Sequence, residues 1–411
     1  MRFCKSCLYP ENHPLGITFD SHGLCSGCQV HHEKDTNIWD EKRNHLQTIL
    51  LHYKSKTQGR YDCIIPVSGG KDSFFTVHTI KNDFGLNPLL VSYNRYYNTA
   101  GGIRNLEMLR SCLGCDIICH TPNPQRLKKL IRLSLNAAGS IHWPYLAGST
   151  TFPVQIAVQK KIPLIIWGAH QGIEQVGMFS HHDEVEMSRW YRSEHDLMGL
   201  APEEIAPKDH GIEFSDIQHL IYPDDHQLLK SEIRGIYLGN YIRWDTKLQH
   251  ERMQKLYPIY RTAQRRTFDQ YNDADCLIYN SLHDEIKFRK FGYSVVQDHV
   301  AREIRYGRIT KEDGLRLISQ FRKKDDFQEH PFVKIFDISS EEIFSAVDKH
   351  RDPKAWQQTE NGWNLRYQLQ LLDNVMPTEQ NLGPDAKYSS YIPIDLKDAH
   401  QDHRLLMRGG I

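Results

Sequence analysis

The spacing of apolar positions changes several times along the chain, and each change marks a different kind of element. Residues 1–35 show no sustained period. Between Thr36 and Arg60, Ile38, Trp39, Leu46, Ile49, Leu50 and Tyr53 recur at roughly helical spacing in a polar stretch, which predicts a linking helix. From Asp62 onward, short apolar runs alternate with longer periodic ones. Cys63–Pro66, Leu89–Tyr93, Asp116–Cys119 and Leu164–Trp167 read as buried strands. Ser73–Asp83, Gly101–Leu113, Pro124–Ala138 and Thr150–Lys161 read as helices. Strands alternating with helices predict βαβ units, hence an α/β fold with a doubly wound parallel sheet covered on both faces. Beyond Asp209 the pattern turns mainly helical, with Ile233–Trp244, Cys276–Arg289, Val295–Tyr306 and Lys311–Phe321 as the expected helices. The stretch from Gln357 to Ile411 mixes Pro, Asn, Asp and Gly and offers few core patterns. The division expected is therefore 1–35, a small N-terminal module; 36–60, a linking helix; 61–208, the α/β domain; and 209–411, a mainly helical substrate or partner domain.

Composition narrows the function classes. The 51 basic and 51 acidic residues balance, so no net positive field exists to hold nucleic acid, although Lys128, Lys129 and Arg132 cluster locally. No apolar run approaches the ~20 residues that span a bilayer, and Met1-Arg2-Phe3-Cys4 lacks the apolar core of a signal peptide. A cytoplasmic protein is expected. Cys4-Lys5-Ser6-Cys7 and Cys25-Ser26-Gly27-Cys28 form two C-x₂-C pairs separated by seventeen residues, the spacing of a zinc ribbon. Four thiolates close a tetrahedral Zn²⁺ site with no open position, which makes its role structural.

The stretch Pro66-Val67-Ser68-Gly69-Gly70-Lys71-Asp72-Ser73 carries the chemistry. A glycine turn between a strand and a helix leaves several N–H groups aimed one way, an anion nest reinforced by the helix dipole. Without Cβ atoms at Gly69 and Gly70, a phosphate can approach the backbone closely. Lys71 adds a mobile positive charge, Asp72 suits Mg²⁺, and Ser68 and Ser73 supply hydroxyls. No G-x-x-x-x-G-K-[ST] pattern occurs, so this is not a Walker loop. Ligands in such sheets bind beyond the carboxyl ends of the strands, here the nest, Tyr93-Asn94 and Gly168.

The sequence SGGKDS resembles the pyrophosphate loop of the N-type ATP pyrophosphatases, which split ATP to AMP and pyrophosphate. The resemblance extends further. FCKSCLYPENHPLGITFDSHGLCSGC, YDCIIPVSGGKDSFFTVHTIKNDFGLNPLLVSYN, WPYLAGSTTFPVQIAVQKKIPLIIWG, GMFSHHDEVEMSRWYRSEHDLMG, KFGYS and QDHVAREIRYGRITKEDG are similar to the N-acetyl sugar amidotransferases of surface-polysaccharide biosynthesis. It runs from Met1 to about Asp325 and covers the remainder thinly. It implies ATP and Mg²⁺ as cofactors, with adenine and ribose laid along Ser92-Tyr93-Asn94. The implied reaction adenylates the acetamido carbonyl of an N-acetyl sugar or sugar nucleotide, and ammonia then displaces AMP to leave an acetamidino group. Ammonia would come from a glutaminase partner, with a cyclase-like channel subunit. The G-x-C-x-G match at Gly23–Gly27 falls inside the second C-x₂-C pair, so no separate nucleophile elbow is apparent, which favours an external nitrogen source.

Gly168–Glu194 follows a strand and is dense in polar groups, so it is the expected substrate wall. His170, His182 and Arg189 are expected to bind substrate, and Glu174, Asp183 or Glu184 to take a proton from incoming ammonium. Where that family often carries Glu-Asn after WG, this chain has Ala169-His170. His299, Arg302 and Arg305 recur at helical spacing and could reach an acidic sugar or a sugar nucleotide's phosphates. Two other readings stay open. A tRNA-thiolating pyrophosphatase would use a thiol among Cys112, Cys115 and Cys276. A non-catalytic nucleotide-binding subunit would scaffold the glutaminase.

Overall fold

A computed structural model describes residues 1–369 except 37, 58–59, 95–98, 207–210, 262–263, 273–274, 323–326, 329, 367–368. Most of the C-terminal stretch from Gln357 onward thus lies outside the described residues. Five strands form one parallel sheet: β1 (Cys63–Pro66), β2 (Pro88–Tyr93), β3 (Ile117–His120), β4 (Leu164–Trp167) and β5 (Arg234–Tyr237), in the order β3-β2-β1-β4-β5. The central residues of β1, β2 and β4 are fully buried because helices cover both faces, which is why they read as unbroken apolar runs. Edge strand β3 is only partly covered and leaves Cys119 exposed. The chain leaves β1 to one side and later returns on the other, so the sheet's topological switch point lies between β1 and β4.

The covering helices carry their own start and stop signals. In α5 (Pro124–Ala138), Asn123 accepts from the N–H groups of Gln125 and Arg126, Pro124 opens the first turn, and Gly139 ends it at φ +57°. Its face of Leu127, Ile131 and Leu135 packs against the helix Leu277–Phe291 and Phe332, Phe336 and Ile343. On the other side, Leu46, Leu50 and Tyr53 of α2 (Trp39–Thr57) join α3 (Lys71–His78) over β1 and β4. Helix α4 (Ala100–Leu113) follows β2, and α6 (Trp143–Lys160) precedes β4.

One element differs in kind from the sequence reading. Ile233, Ile236, Tyr237, Tyr241 and Trp244 fall at helical spacing, yet Arg234–Tyr237 is strand β5 and a 3₁₀ turn, Leu238–Asn240, follows it. Four-residue strands are too short for their period to outweigh such a coincidence. The sheet therefore takes its fifth strand from beyond residue 208. Its outer edge is covered by Glu186 and Met187, with Met187 N donating to Gly235 O at 2.8 Å. The C-terminal region is otherwise helical: Leu277–Phe291, Val295–Arg305, Lys311–Phe321 and Ser340–Asp348, ending in the hairpin β6 (Trp356–Thr359) and β7 (Gly362–Leu365). Among the described residues no helix is long and apolar enough to cross a membrane.

Candidate active site

The loop after β1 is built as a nest. Gly69 has φ +80°, and a Cβ there would lie 2.5 Å from Gly102 O, so no other residue fits this turn against the start of α4. Ser68 Oγ accepts from Gly70 N at 3.2 Å, and Ser73 Oγ accepts from Ser68 N at 3.2 Å. Gly70 is the N-cap of α3 and gives no side-chain cap. Among the described residues no hydrogen bond engages the N–H groups of Gly69, Lys71 or Asp72. Unpartnered donors at a helix N-terminus suit the phosphates of ATP.

The C-terminal region closes over this loop. Asp269, buried, accepts from Lys71 Nζ at 3.4 Å and from Arg302 Nη2 at 2.9 Å on the same oxygen, Oδ2. Burial opposes its charge, but Lys71 and Arg302 outweigh that and hold the carboxyl well below the usual range. His299 is buried behind it, with Nδ1 2.5 Å from Thr267 Oγ1; burial and Arg302 push it down to about 3, so it is neutral. Asp72 Oδ1 faces His250 Nε2 at 3.3 Å while its side chain keeps 45% exposure, which leaves room for a cation between carboxylate and phosphate. Burial pushes His250 down as well, and Asp72 opposes it. The segment is anchored by Asn105, which trades two bonds with the backbone of Tyr260, and by Thr99 N donating to Asp275 O.

The structure thus gathers Lys71, Asp72, Ser68, Ser73, His299 and Arg302, and adds Asp269, Thr267 and His250, which sequence reasoning missed. Thr267 and Asp269 stand in a segment without motif or period and His250 on a polar helix, Thr246–Leu256, all far from the loop in sequence. Other expected residues lie elsewhere. The Tyr93 ring is buried against His120 and His219, at centroid distances of 5.3 and 6.1 Å, and Ser92 is buried. Asn94 donates to Thr121 Oγ1 at 3.2 Å. Gly168 follows β4, and a Cβ there would lie 3.4 Å from Trp244 and 3.6 Å from Thr76 Oγ1. Glu174 is ion-paired with buried Lys34, which also bonds Trp244 O and Tyr306 Oη. Burial raises the Glu174 carboxyl despite that cation. Glu184 pairs with Lys42 at 3.2 Å, Asp183 accepts from Ser180 N, and Arg189 pairs with Asp225 at 2.9 Å. His182 is exposed, with its N–H donating to Ser180 Oγ. The local basic cluster is neutralised: Lys128 meets Asp337, Lys129 meets Asp216 and Arg132 meets Glu342. Cys115 and Cys276 are buried in separate cores, and Cys112 is exposed.

The four N-terminal cysteines converge. Their sulfurs lie within 4.8 Å of one another, with Cys4–Cys28 at 3.8 Å and Cys7–Cys25 at 3.6 Å. A tetrahedral zinc with Zn–S of about 2.3 Å requires S···S edges of about 3.8 Å, so the donor set fits Zn²⁺. Arg305 donates to Cys7 and Cys25 Sγ at 3.7 and 3.5 Å and to Gln175 O at 2.7 Å, offsetting thiolate charge. A Cβ on Gly27 would strike Arg305.

Fold and site together define an α/β protein with a glycine nest of unpartnered N–H groups at the switch point of its sheet and a four-cysteine module at its N-terminus. Residues 265–370 match the family model described as the C-terminal domain of WbpG-like LPS biosynthesis proteins. That segment contains Asp269, His299, Arg302 and Arg305. A stretch of 102 residues is 29% identical to MJ1599, an uncharacterized protein of Methanocaldococcus jannaschii. It covers 25% of this chain and 36% of that protein, so the chain spans about a third of that relative's length. Among solved structures, NMN synthetase from Francisella tularensis aligns over 53% of this chain and 94% of its own, at 14% identity and a TM-score of 0.24.

Proposed function

We propose that this protein is an ATP-dependent amidotransferase that acts on an N-acetyl sugar in surface-polysaccharide biosynthesis. The N–H groups of the nest, Lys71 and Arg302 hold the outer phosphates of ATP, and Asp72 holds Mg²⁺. Gripping those phosphates as the leaving group turns the α-phosphorus toward the sugar. The acetamido oxygen attacks that phosphorus, and pyrophosphate departs. Ammonia from a glutaminase partner, passed through a cyclase-like subunit, adds to the activated carbon. AMP leaves with the former amide oxygen, and loss of a proton gives the acetamidino group. Exclusion of water favours ammonia in the second step.

One observation carries this reading: Lys71 of the loop and Arg302 of the segment matching an LPS-biosynthesis domain share one oxygen of Asp269. The test is pyrophosphate release by purified protein with ammonium, against a panel of acetamido sugars and bulk tRNA. Release should depend on one sugar, and the product should gain NH for O. Lys71→Ala should lower the rate by roughly a hundredfold or more, as losing a charge-stabilising donor does. Release with tRNA alone, or sugar modification undiminished in Lys71→Ala, overturns the reading.

A further inference from the structure

Beyond the carboxyl ends of β4 and β5 lies a cavity of about 180 Å³ that the nest chemistry does not use. Drug-sized ligands occupy about 300–1,000 Å³, so this space suits a single ring. Trp167, Tyr222 and Tyr237 give it aromatic walls, and Leu15 of the N-terminal module reaches its rim. Such faces cover the C–H faces of a sugar ring. The polar groups are few and convergent. His170 Nδ1 accepts from Gly172 N at 3.1 Å, and burial pushes the ring down to about 4. The neutral ring therefore carries its proton on Nε2.

Arg192 is the unusual group. Its side chain is 4% exposed, and no carboxylate lies within ion-pairing distance among the described residues. Nε donates to Thr150 Oγ1, and Nη2 donates to the carbonyls of Ala147 and Leu220. Nη1 makes no hydrogen bond among the described residues. The guanidinium stacks 5.0 Å from the ring of Tyr222, whose buried hydroxyl is also unpartnered. A buried cation with unspent donors, beside an unspent hydroxyl in an aromatic cavity, is arranged for an anion. Asp196, one turn on, also lines the cavity; burial raises its carboxyl to about 6, against the pull of Arg192.

We infer that this cavity is the acceptor-sugar subsite and that Arg192 receives an anionic group, carboxylate or phosphate, carried by that sugar. The inference rests on the amidotransferase reading for its substrate class. The test is calorimetric titration of the full-length protein at pH 8 with three probes: N-acetylglucosamine, its uronic acid and its 1-phosphate. At least one anionic probe should bind about tenfold or more tightly than the neutral sugar. Arg192→Gln should erase that preference. Because Arg192 also holds two carbonyls, Asp196→Asn supplies a second, isosteric variant. It removes a negative charge beside the anchor and should tighten the anionic probes several-fold while leaving the neutral one unchanged. Which probe responds decides between carboxylate and phosphate. Absence of any anionic preference, or variants that shift all three probes equally, overturns the inference. If the probes respond as expected but no sugar supports pyrophosphate release, the amidotransferase reading fails and the anion subsite stands. Sugar-dependent release whose KM ignores Arg192 gives the reverse.

Discussion

The glycine loop and the cysteine cluster are served by one helix, Val295–Arg305, through two arginines three residues apart, and they use those arginines in opposite ways. Arg302 reaches a carboxylate that also holds Lys71, in a site whose Asp72 is still 45% exposed. Arg305 is spent inside the molecule, on two sulfurs and two carbonyls. At the loop Lys71 and Arg302 share Asp269, a group that a phosphate could replace, while Glu303 also holds Arg302 Nε at 2.7 Å. At the cysteines Arg305 is held by sulfurs and backbone carbonyls, and only its buried Nε has no partner among the described residues. Identical chemistry on one helix thus serves an open site or a closed one according to the partners it meets.

That contrast can be broken from several sides. Stripping zinc, or changing Cys25→Ser, should unfold the N-terminal module and lower the thermal midpoint more than any other change, because metal supplies most of the stability of so small a unit. Spectroscopy with a zinc reporter should find one ion per chain. An apo protein with an unaltered melting curve would count against a structural site.

Arg305→Gln should cost about 3–5 kcal/mol, since it leaves buried thiolate charge uncompensated, and should weaken zinc retention. Arg302→Gln should instead raise KM for ATP roughly tenfold with zinc content unchanged. If both variants fail in the same assay, the division of labour between them is wrong.

Gly69→Ala places a Cβ against Gly102 O at positive φ and should cost about 1–3 kcal/mol, with weakened ATP binding. Gly70→Ala should be milder, because its nearest atoms, at 3.0 and 3.3 Å, belong to the side chains of Ser68 and Asp275. Equal losses at both positions would mean that the turn is not what the loop needs.

The smallest effect concerns acid. The Asp269 carboxyl is depressed in the folded state, so as pH falls the unfolded chain takes up that proton first. Its contribution is therefore complete above the ordinary aspartate value of about 3.9 and is lost as pH drops toward the folded value. Asp269→Asn should flatten the acid limb of the stability curve. An unchanged limb would remove the Lys71–Asp269–Arg302 cluster from the account.

Much of this was legible in the chain. Strands β1 and β4 and helix α5 fall on the residues that apolar runs and helical periodicity predict, and the cysteine spacing foretells a converged cluster. Strand β5 was not legible, because Ile233, Ile236 and Tyr237 mimic a helix and only its pairing with β4 reveals it. Asp269 was equally hidden: it stands 198 residues from Lys71, in a stretch without period, and acquires meaning only when the fold brings the two together. Arg305 shared a pattern with Arg302, and spacing alone could not show that their partners differ. Glu174 looked like a free carboxylate until Lys34, 140 residues earlier, was found bound to it.

The span between Cys7 and Arg305, 298 residues, also bears on how the protein is made. The cysteines leave the ribosome well before that helix and could capture metal within a loop of about two dozen residues, at little closure cost. The helix that shields them, and the segment 174–178 against which they pack, emerge far later. A knuckle that binds metal during synthesis would therefore persist for a time as an uncovered site, exposed to chelators and oxidants. Nascent chains stalled before residue 305 should exchange zinc faster than the released protein.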